Sequence, residues 1–318
     1  MRESTQTNHS HQEIRAKRYA QAMKASGHSR IMELLPLIVH ISAEKGSMLD
    51  MMSGTGFVSQ YLGRYFDTIH AIDKMTGMIP EDSHISRKLE CDASREDIAD
   101  LTCFKYDTII SLASFHHIHP QAFPLCTEEQ VVDYRVACLS KWRELIRDGG
   151  YLVLADVSAP GQIPNGSIQI TPKISAFPDL EAQLGELPSA SLFTPKSIGT
   201  EPSHFFDEFV AHKSITPHVG VFETELSLSL LLKKAGYTNI KTSVHFVPWH
   251  FQNMDEAIWF IHNLFGIGTK QYESTAEIPQ ELVEQIHHAI EAHLCSWPAG
   301  KGGIWIGWKL LYASAEKN

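Results

Sequence analysis

The chain of 318 residues holds only five cysteines (Cys91, Cys103, Cys126, Cys138 and Cys295), and no two of them stand in C-x-x-C spacing. An odd, scattered set of thiols makes neither a disulfide framework nor a paired-cysteine metal site, and it fits a reducing compartment. No run approaches the roughly 20 apolar residues that cross a bilayer. The opening stretch "MRESTQTNHSHQEIRAKRYA" also lacks the apolar centre of a secretory signal. A soluble, unprocessed, cytoplasmic chain with no membrane partner is expected. Long basic runs are missing too: 27 Lys and Arg stand against 37 Asp and Glu, for a formal charge of −10. Binding along a nucleic-acid backbone depends on clustered cations, so the expected partner is a small-molecule substrate and no nucleic acid. Internal repeats and low-complexity blocks are absent as well.

What is present is alternation. After about 12 polar residues, "EIRAKRYAQAMKASGHSRIMELLPLIVHI" carries apolar positions at helical spacing, interrupted around Gly27, which predicts two helices. A strand at 47–51, a helix at 56–65, strands at 68–73 and 107–114, a helix at 127–147 and a strand at 151–157 follow. That order is the signature of a parallel sheet with crossover helices. Asp148-Gly149-Gly150 reads as a helix stop, with a left-handed glycine before the next strand. From Ser158 to about Thr216 the pattern dissolves into Pro, Gly and Ser, longer than a plain connection in a compact sheet, and reads as a lid or substrate-facing insertion. A helix at 223–235, a strand at 240–249, helices near 254–265 and 278–296 and a last strand at 303–315 complete the chain. The expected division is an N-terminal helical cap at 1–40, a core at 41–157, an insertion at 158–222 and the end of the core, with inserted helices, at 223–318.

In an open parallel sheet, ligands bind at the carboxyl ends of the strands near the switch in strand order. Four strand ends carry suitable residues. After the first, "LDMMSGTG" offers Asp50 as an acceptor, and Gly54 and Gly56 let the backbone approach a ligand with no Cβ in the way. After the second, Asp73 in "AIDKM" is placed to accept two ribose hydroxyls, and further on "ECDASRED" puts Asp92 where it could accept from an exocyclic amine of a purine. A fourth end, "SLASFHHI", brings Ser111 to His117 to the same rim.

These motifs, in this order, resemble the class I S-adenosylmethionine-dependent methyltransferases over residues 30–157 and the closing strands. The resemblance implies an α/β, Rossmann-like seven-stranded sheet whose last strand is antiparallel, flanked by N-terminal helices and a helical lid or insertion. It implies S-adenosylmethionine as cofactor, held by Asp50, Gly54, Thr55, Gly56, Asp73, Lys74, Asp92, Ala93 and Ser111. From their order along the chain, Tyr19 and Arg30 are expected to close over the cofactor, Arg30 by pairing its carboxylate. The departure is Met52, at the family's first glycine; its side chain should turn into the helix layer, or the turn should open. A dinucleotide dehydrogenase competes for the same turn, but G-x-G-x-x-G would place a glycine where Ser59 stands.

Methyl transfer from a sulfonium is an in-line displacement, so the protein must position the acceptor and, for a protonated one, supply a base. His116 and His117, at the fourth strand end, and His218 are the candidates, as against packing or capping roles. His204, His212 and His218, with Asp207 and Glu208, form a second cluster without the i, i+4 pairing of a helical metal site; a surface or structural role is expected there, and no metal. The aromatics Phe205, Phe206, Phe209, Trp249, Phe251, Trp259, Phe260 and Phe265 are expected in the core. The leading reading is a small-molecule methyltransferase of a biosynthetic pathway, with a homodimer open. Two alternatives keep the cofactor: a cyclase turning it into azetidine-2-carboxylate and methylthioadenosine, and a non-catalytic binding regulator.

Overall fold

The computed structural model describes residues 2–38, 46–79, 81, 84–94, 98, 103–165, 200–216, 220–299 and 302–318, without the side chains of 2–10 and 76. Most of the expected insertion therefore lies outside the described residues. Along the chain run α1 (Arg2–Ser26), β1 (Ser47–Met51), α2 (Phe57–Leu62), β2 (Thr68–Asp73), β3 (Arg87–Glu90), β4 (Tyr106–Leu112), α3 (Glu128–Leu145), β5 (Ile146–Val157), α4 (Glu225–Lys234) and β6 (Thr238–Phe246). Then come β7 (Trp249–Phe251), α5 (Met254–Leu264), α6 (Gln280–Ala289), β8 (Ser296–Pro298), β9 (Ile304–Ile306) and β10 (Lys309–Glu316). They form two compact units, the larger drawn from 34–186, 220–245 and 310–318 and the smaller from 1–33, 187–219 and 246–309.

In the larger unit seven strands stand in the order β3-β2-β1-β4-β5-β10-β6. The pairs β1 with β2, β2 with β3, β1 with β4 and β4 with β5 are parallel, and β10 runs antiparallel to β5. This is the sheet the family resemblance implies. Strand order reverses between β1 and β4, which makes the crevice beyond their carboxyl ends the place for a ligand. The apolar residues of β1, β4 and β5 pack with one face of α3 and α4: Leu49, Met51, Ile109 and Leu152 meet Cys138, Leu139, Trp142, Leu228 and Leu232. Both helices begin in capping boxes, Thr127 with Gln130 and Thr224 with Ser227, so their start positions are set locally.

Three expectations shift. The 127–147 helix ends at Leu145, because Ile146 already has extended backbone; Gly149 is left-handed (φ 77°) but lies inside β5, where its N–H meets Lys317 O. The strand expected at 240–249 divides around Pro248, which has no N–H for a ladder. The last strand divides likewise, at Gly307 and Trp308.

The smaller unit carries the sheet β7-β9-β8 and buries Phe205, Phe206, Phe209, Trp249, Phe251, Trp259, Phe260 and Phe265, the aromatics expected in a core. Arg18, fully buried on α1, donates to the carbonyls of His262, Ile267 and Gly268, where α5 ends. No described helix is long and apolar enough to cross a membrane.

Candidate active site

The turn after β1 is built from backbone conformations that L side chains rarely adopt. Met52, Gly54 and Gly56 have φ of 58°, 55° and 74°. Met52 thus keeps the left-handed geometry for which a glycine is the usual choice, and its half-buried side chain packs on the larger unit's core, as the first of the two expected outcomes has it. Asp50 is buried, and its Oδ2 accepts from the Ser59 N–H (3.1 Å) and hydroxyl (2.7 Å), which fixes the start of α2 against β1. Burial raises its carboxyl to about 6, the Ser59 bonds work against that, and the neighbouring Asp73 charge adds to it.

Asp73 closes the turn from the next strand. Its Oδ2 accepts from Gly54 N–H at 2.8 Å and its Oδ1 from Met75 N–H at 2.9 Å. Further along the rim, Asp92 Oδ1 takes the Ser94 N–H (3.0 Å) and hydroxyl (2.5 Å), while Lys74 Nζ stands 3.0 Å from Oδ2. Burial opposes the Asp92 charge, but Ser94 and Lys74 more than offset it and hold the carboxyl below its usual range. Helix α3 ties this loop down: Trp142 Nε1 donates to Ala93 O and Cys138 Sγ to Ser94 O. Thr55 is buried within the turn.

The fourth strand end meets the first. Ser114 Oγ donates to Leu112 O (2.9 Å) and lies 3.4 Å from Met52 O, while Ala113, at φ 54°, turns the chain sharply. Ser111 is fully buried, and its Oγ finds no partner among the described residues. In the short helical turn Phe115–His117, His116 is held at two points by Asp156 from β5. Its N–H donates to Oδ2 at 2.5 Å, and its Nδ1 lies 2.7 Å from Oδ1. An ionised Asp156 selects the tautomer with the proton on Nδ1 and leaves Nε2 as the basic nitrogen. His117 is half-buried with its ring centroid 4.0 Å from that of His116.

The other candidates belong to the smaller unit or lie outside the described residues. Tyr19 and Arg30 belong to the smaller unit, where the buried Arg30 fork is filled by Glu33: Nε to Oε1 at 3.0 Å and Nη2 to Oε2 at 2.7 Å. Trp249 Nε1 shares Glu33 Oε1 at 2.7 Å, and Tyr19 bonds the same guanidinium. The carboxylate expected for Arg30 from a cofactor is thus met by Glu33 inside the protein. His218 lies outside the described residues, and His204 and His212 sit on the 202–213 helical run of the smaller unit. Among the described residues no three His, Cys, Asp or Glu side chains are grouped to hold a metal. Sequence reasoning did not single out Asp156; its signal is an acid at the end of "YLVLADV", the position that faces the post-β4 turn.

A seven-stranded sheet in this order with a closing antiparallel strand defines the class I S-adenosylmethionine-dependent methyltransferase fold. Residues 18–242 match the profile of a family described as a methyltransferase domain, and the chain belongs to that family, whose cofactor is S-adenosylmethionine. Among solved structures it is similar to the YcgJ protein of Bacillus subtilis, with TM-score 0.50 and 12% identity over 89% of this chain and 98% of that one, a likeness of fold. A SAM-dependent methyltransferase from Archaeoglobus fulgidus gives TM-score 0.44 and 13% identity over 89% and 91% of the two chains. A search of curated protein sequences finds no match.

Proposed function

We propose that this methyltransferase acts on a small molecule of a biosynthetic pathway whose acceptor atom carries a proton, and that His116 removes it. The observation that carries the reading is the His116–Asp156 pair, an imidazole oriented through Nδ1 by a carboxylate beside the switch in strand order. A base held by a third group is the arrangement proton abstraction needs. The charge of −10, without basic runs, supports a small acceptor over a nucleic acid.

The residues suit the cofactor. The left-handed Gly54 and Gly56 bring bare backbone to the strand end, and Asp73, fixed by two N–H donors, retains lone pairs for ribose hydroxyls. Asp92, held by Ser94 and Lys74, would accept from the adenine amine, and the Ser111 hydroxyl is buried without a partner among the described residues. When bound, S-adenosylmethionine supplies a methyl group on a sulfonium, open to in-line displacement. Asp50 serves the site through Ser59 and the turn.

The test is an incubation of purified protein with S-adenosylmethionine and a cell extract divided by size. S-adenosylhomocysteine formed only with the low-molecular-weight fraction, and lost in His116→Gln, is expected. Methyl groups entering only macromolecules would overturn the small-molecule reading. Methylthioadenosine from S-adenosylmethionine alone would replace methyl transfer by the cyclisation.

A further inference from the structure

On α3 the side chains facing the core are Val131, Cys138, Leu139, Trp142 and Leu145, with one exception, the fully buried Arg135. An aliphatic side chain would satisfy packing there, so the guanidinium needs another reason. All of its bonds go to two segments that border His116. Nε donates to Ile118 O at 2.8 Å and Nη2 to Phe115 O at 3.3 Å, on either side of the histidine. Nη2 also donates to Val221 O at 2.8 Å, and Nη1 pairs with Glu223. The plane lies 4.7 Å over the Phe115 ring.

Residues 220–223 form a strap that these bonds seat on His116. Val221 N–H donates to His116 O at 3.1 Å, and the Phe222 ring lies 5.6 Å from the imidazole. Gly220 runs so close to the ring that a Cβ placed there would stand 2.8 Å from His116 Cδ2, inside any real contact. At its far end the strap joins β5 again: Ala159 N–H donates to Glu223 O at 2.8 Å, two residues beyond Val157 and three beyond Asp156. The circuit from Asp156 to His116, across the strap to Glu223 and back to the end of β5 is therefore closed, and the Arg135 side chain is bonded to both halves of it.

We propose that Arg135, together with Glu223, is a positioning residue that seats the 220–223 strap against His116 and so fixes the imidazole on Asp156. The functional meaning of this rests on the reading of His116 as the base. A planar fork with several donors can tie three backbone carbonyls and a carboxylate at once, which a lysine ammonium in its place cannot do with the same geometry. The glycine at position 220 is a condition of the device, because only a residue without a side chain lets the strap lie on the ring.

The test is nitrogen NMR of the full chain labelled on its histidines, with His116→Gln to identify the resonances that belong to position 116. In the wild type His116 holds one tautomer, protonated on Nδ1. In Glu223→Gln, nearly the same shape without the charge, and in Gly220→Ala, which keeps the ion pair but lifts the strap, that single tautomer is lost to exchange. S-adenosylmethionine affinity stays within about threefold, and methyl transfer falls by about tenfold or more, a part of the gain a positioned base supplies. Should one variant fail to fold, the other carries the test. An unchanged His116 spectrum in a folded variant overturns the proposal. If His116→Gln keeps full methyl transfer, the base reading fails, while the tautomer result still decides whether Arg135 and Glu223 position the ring.

Discussion

Asp156 holds His116 by both carboxylate oxygens, one on the backbone N–H and one on Nδ1, so turn and imidazole are oriented by the same group. Asn in its place can accept from only one of these donors and offers an N–H to the other. Asp156→Asn is expected to lower the methyl-transfer rate by at least about a hundredfold, the size of a general-base contribution, with cofactor affinity little changed. Single-turnover kinetics beside calorimetric binding checks this, and a full rate in the variant would remove His116 from the chemistry.

Asp50 predicts a pH dependence of stability. Its carboxyl is raised to about 6 in the folded chain, chiefly by burial, against roughly 3.9 in the unfolded one. The protonated form therefore favours folding: its contribution is complete below about pH 4 and is lost as pH rises through about 6, on the order of 2–3 kcal/mol in all. Asp50→Asn keeps an acceptor for Ser59 and cannot ionise. Thermal unfolding at pH 4.5 and 7.5 should show the variant gaining on the wild type at the higher pH; parallel profiles would contradict the account.

Met52 gives a stability prediction of the opposite kind at the first turn. A left-handed conformation costs an L side chain roughly 1–2 kcal/mol, while a half-buried methionine returns about as much through burial. Met52→Gly should therefore change stability by less than about 1 kcal/mol, which chemical denaturation measures. Gly56→Ala, at φ 74° with only ordinary contacts to Ile79 and Ile85, should cost about 1–2 kcal/mol.

Arg18 makes a prediction about the smaller unit. Burial lowers its pKa to about 10, and its guanidinium serves three carbonyls at the end of α5. Arg18→Leu takes their donor from Ile267 O and Gly268 O, while His262 O keeps the Ile267 N–H, and should destabilise the chain by about 2 kcal/mol or more, read from thermal unfolding. A loss below about 1 kcal/mol would mean that water replaces the arginine.

The sheet was legible because β1, β2, β4 and β5 are apolar runs ending in turn residues or acids and alternate with helical patterns. Strand β3, Arg87-Lys88-Leu89-Glu90, was not, since an edge strand with exposed polar ends carries little hydrophobic signal. Among the site candidates, Asp73 could be picked out because it ends a strand that the sequence shows, and Asp92 only through the family motif it resembles. Arg135 and Glu223, 88 residues apart, could not, because nothing local in either segment announces a partner. Nor could the sequence say that Arg30 would be taken by Glu33, since i, i+3 pairs are common and this one is decided by burial.

The central claim is that the turn after β1 and the acid after β2 hold S-adenosylmethionine, and Asp73 tests it most directly. Calorimetric titration of S-adenosylmethionine into Asp73→Ala and Asp73→Asn, each shown folded by circular dichroism, is the measurement. Loss of hydrogen bonds from a charged acceptor predicts an affinity lower by about tenfold to a hundredfold in Asp73→Asn and lower still in Asp73→Ala. Wild-type affinity in a folded Asp73→Ala would contradict it and place the cofactor away from this strand end.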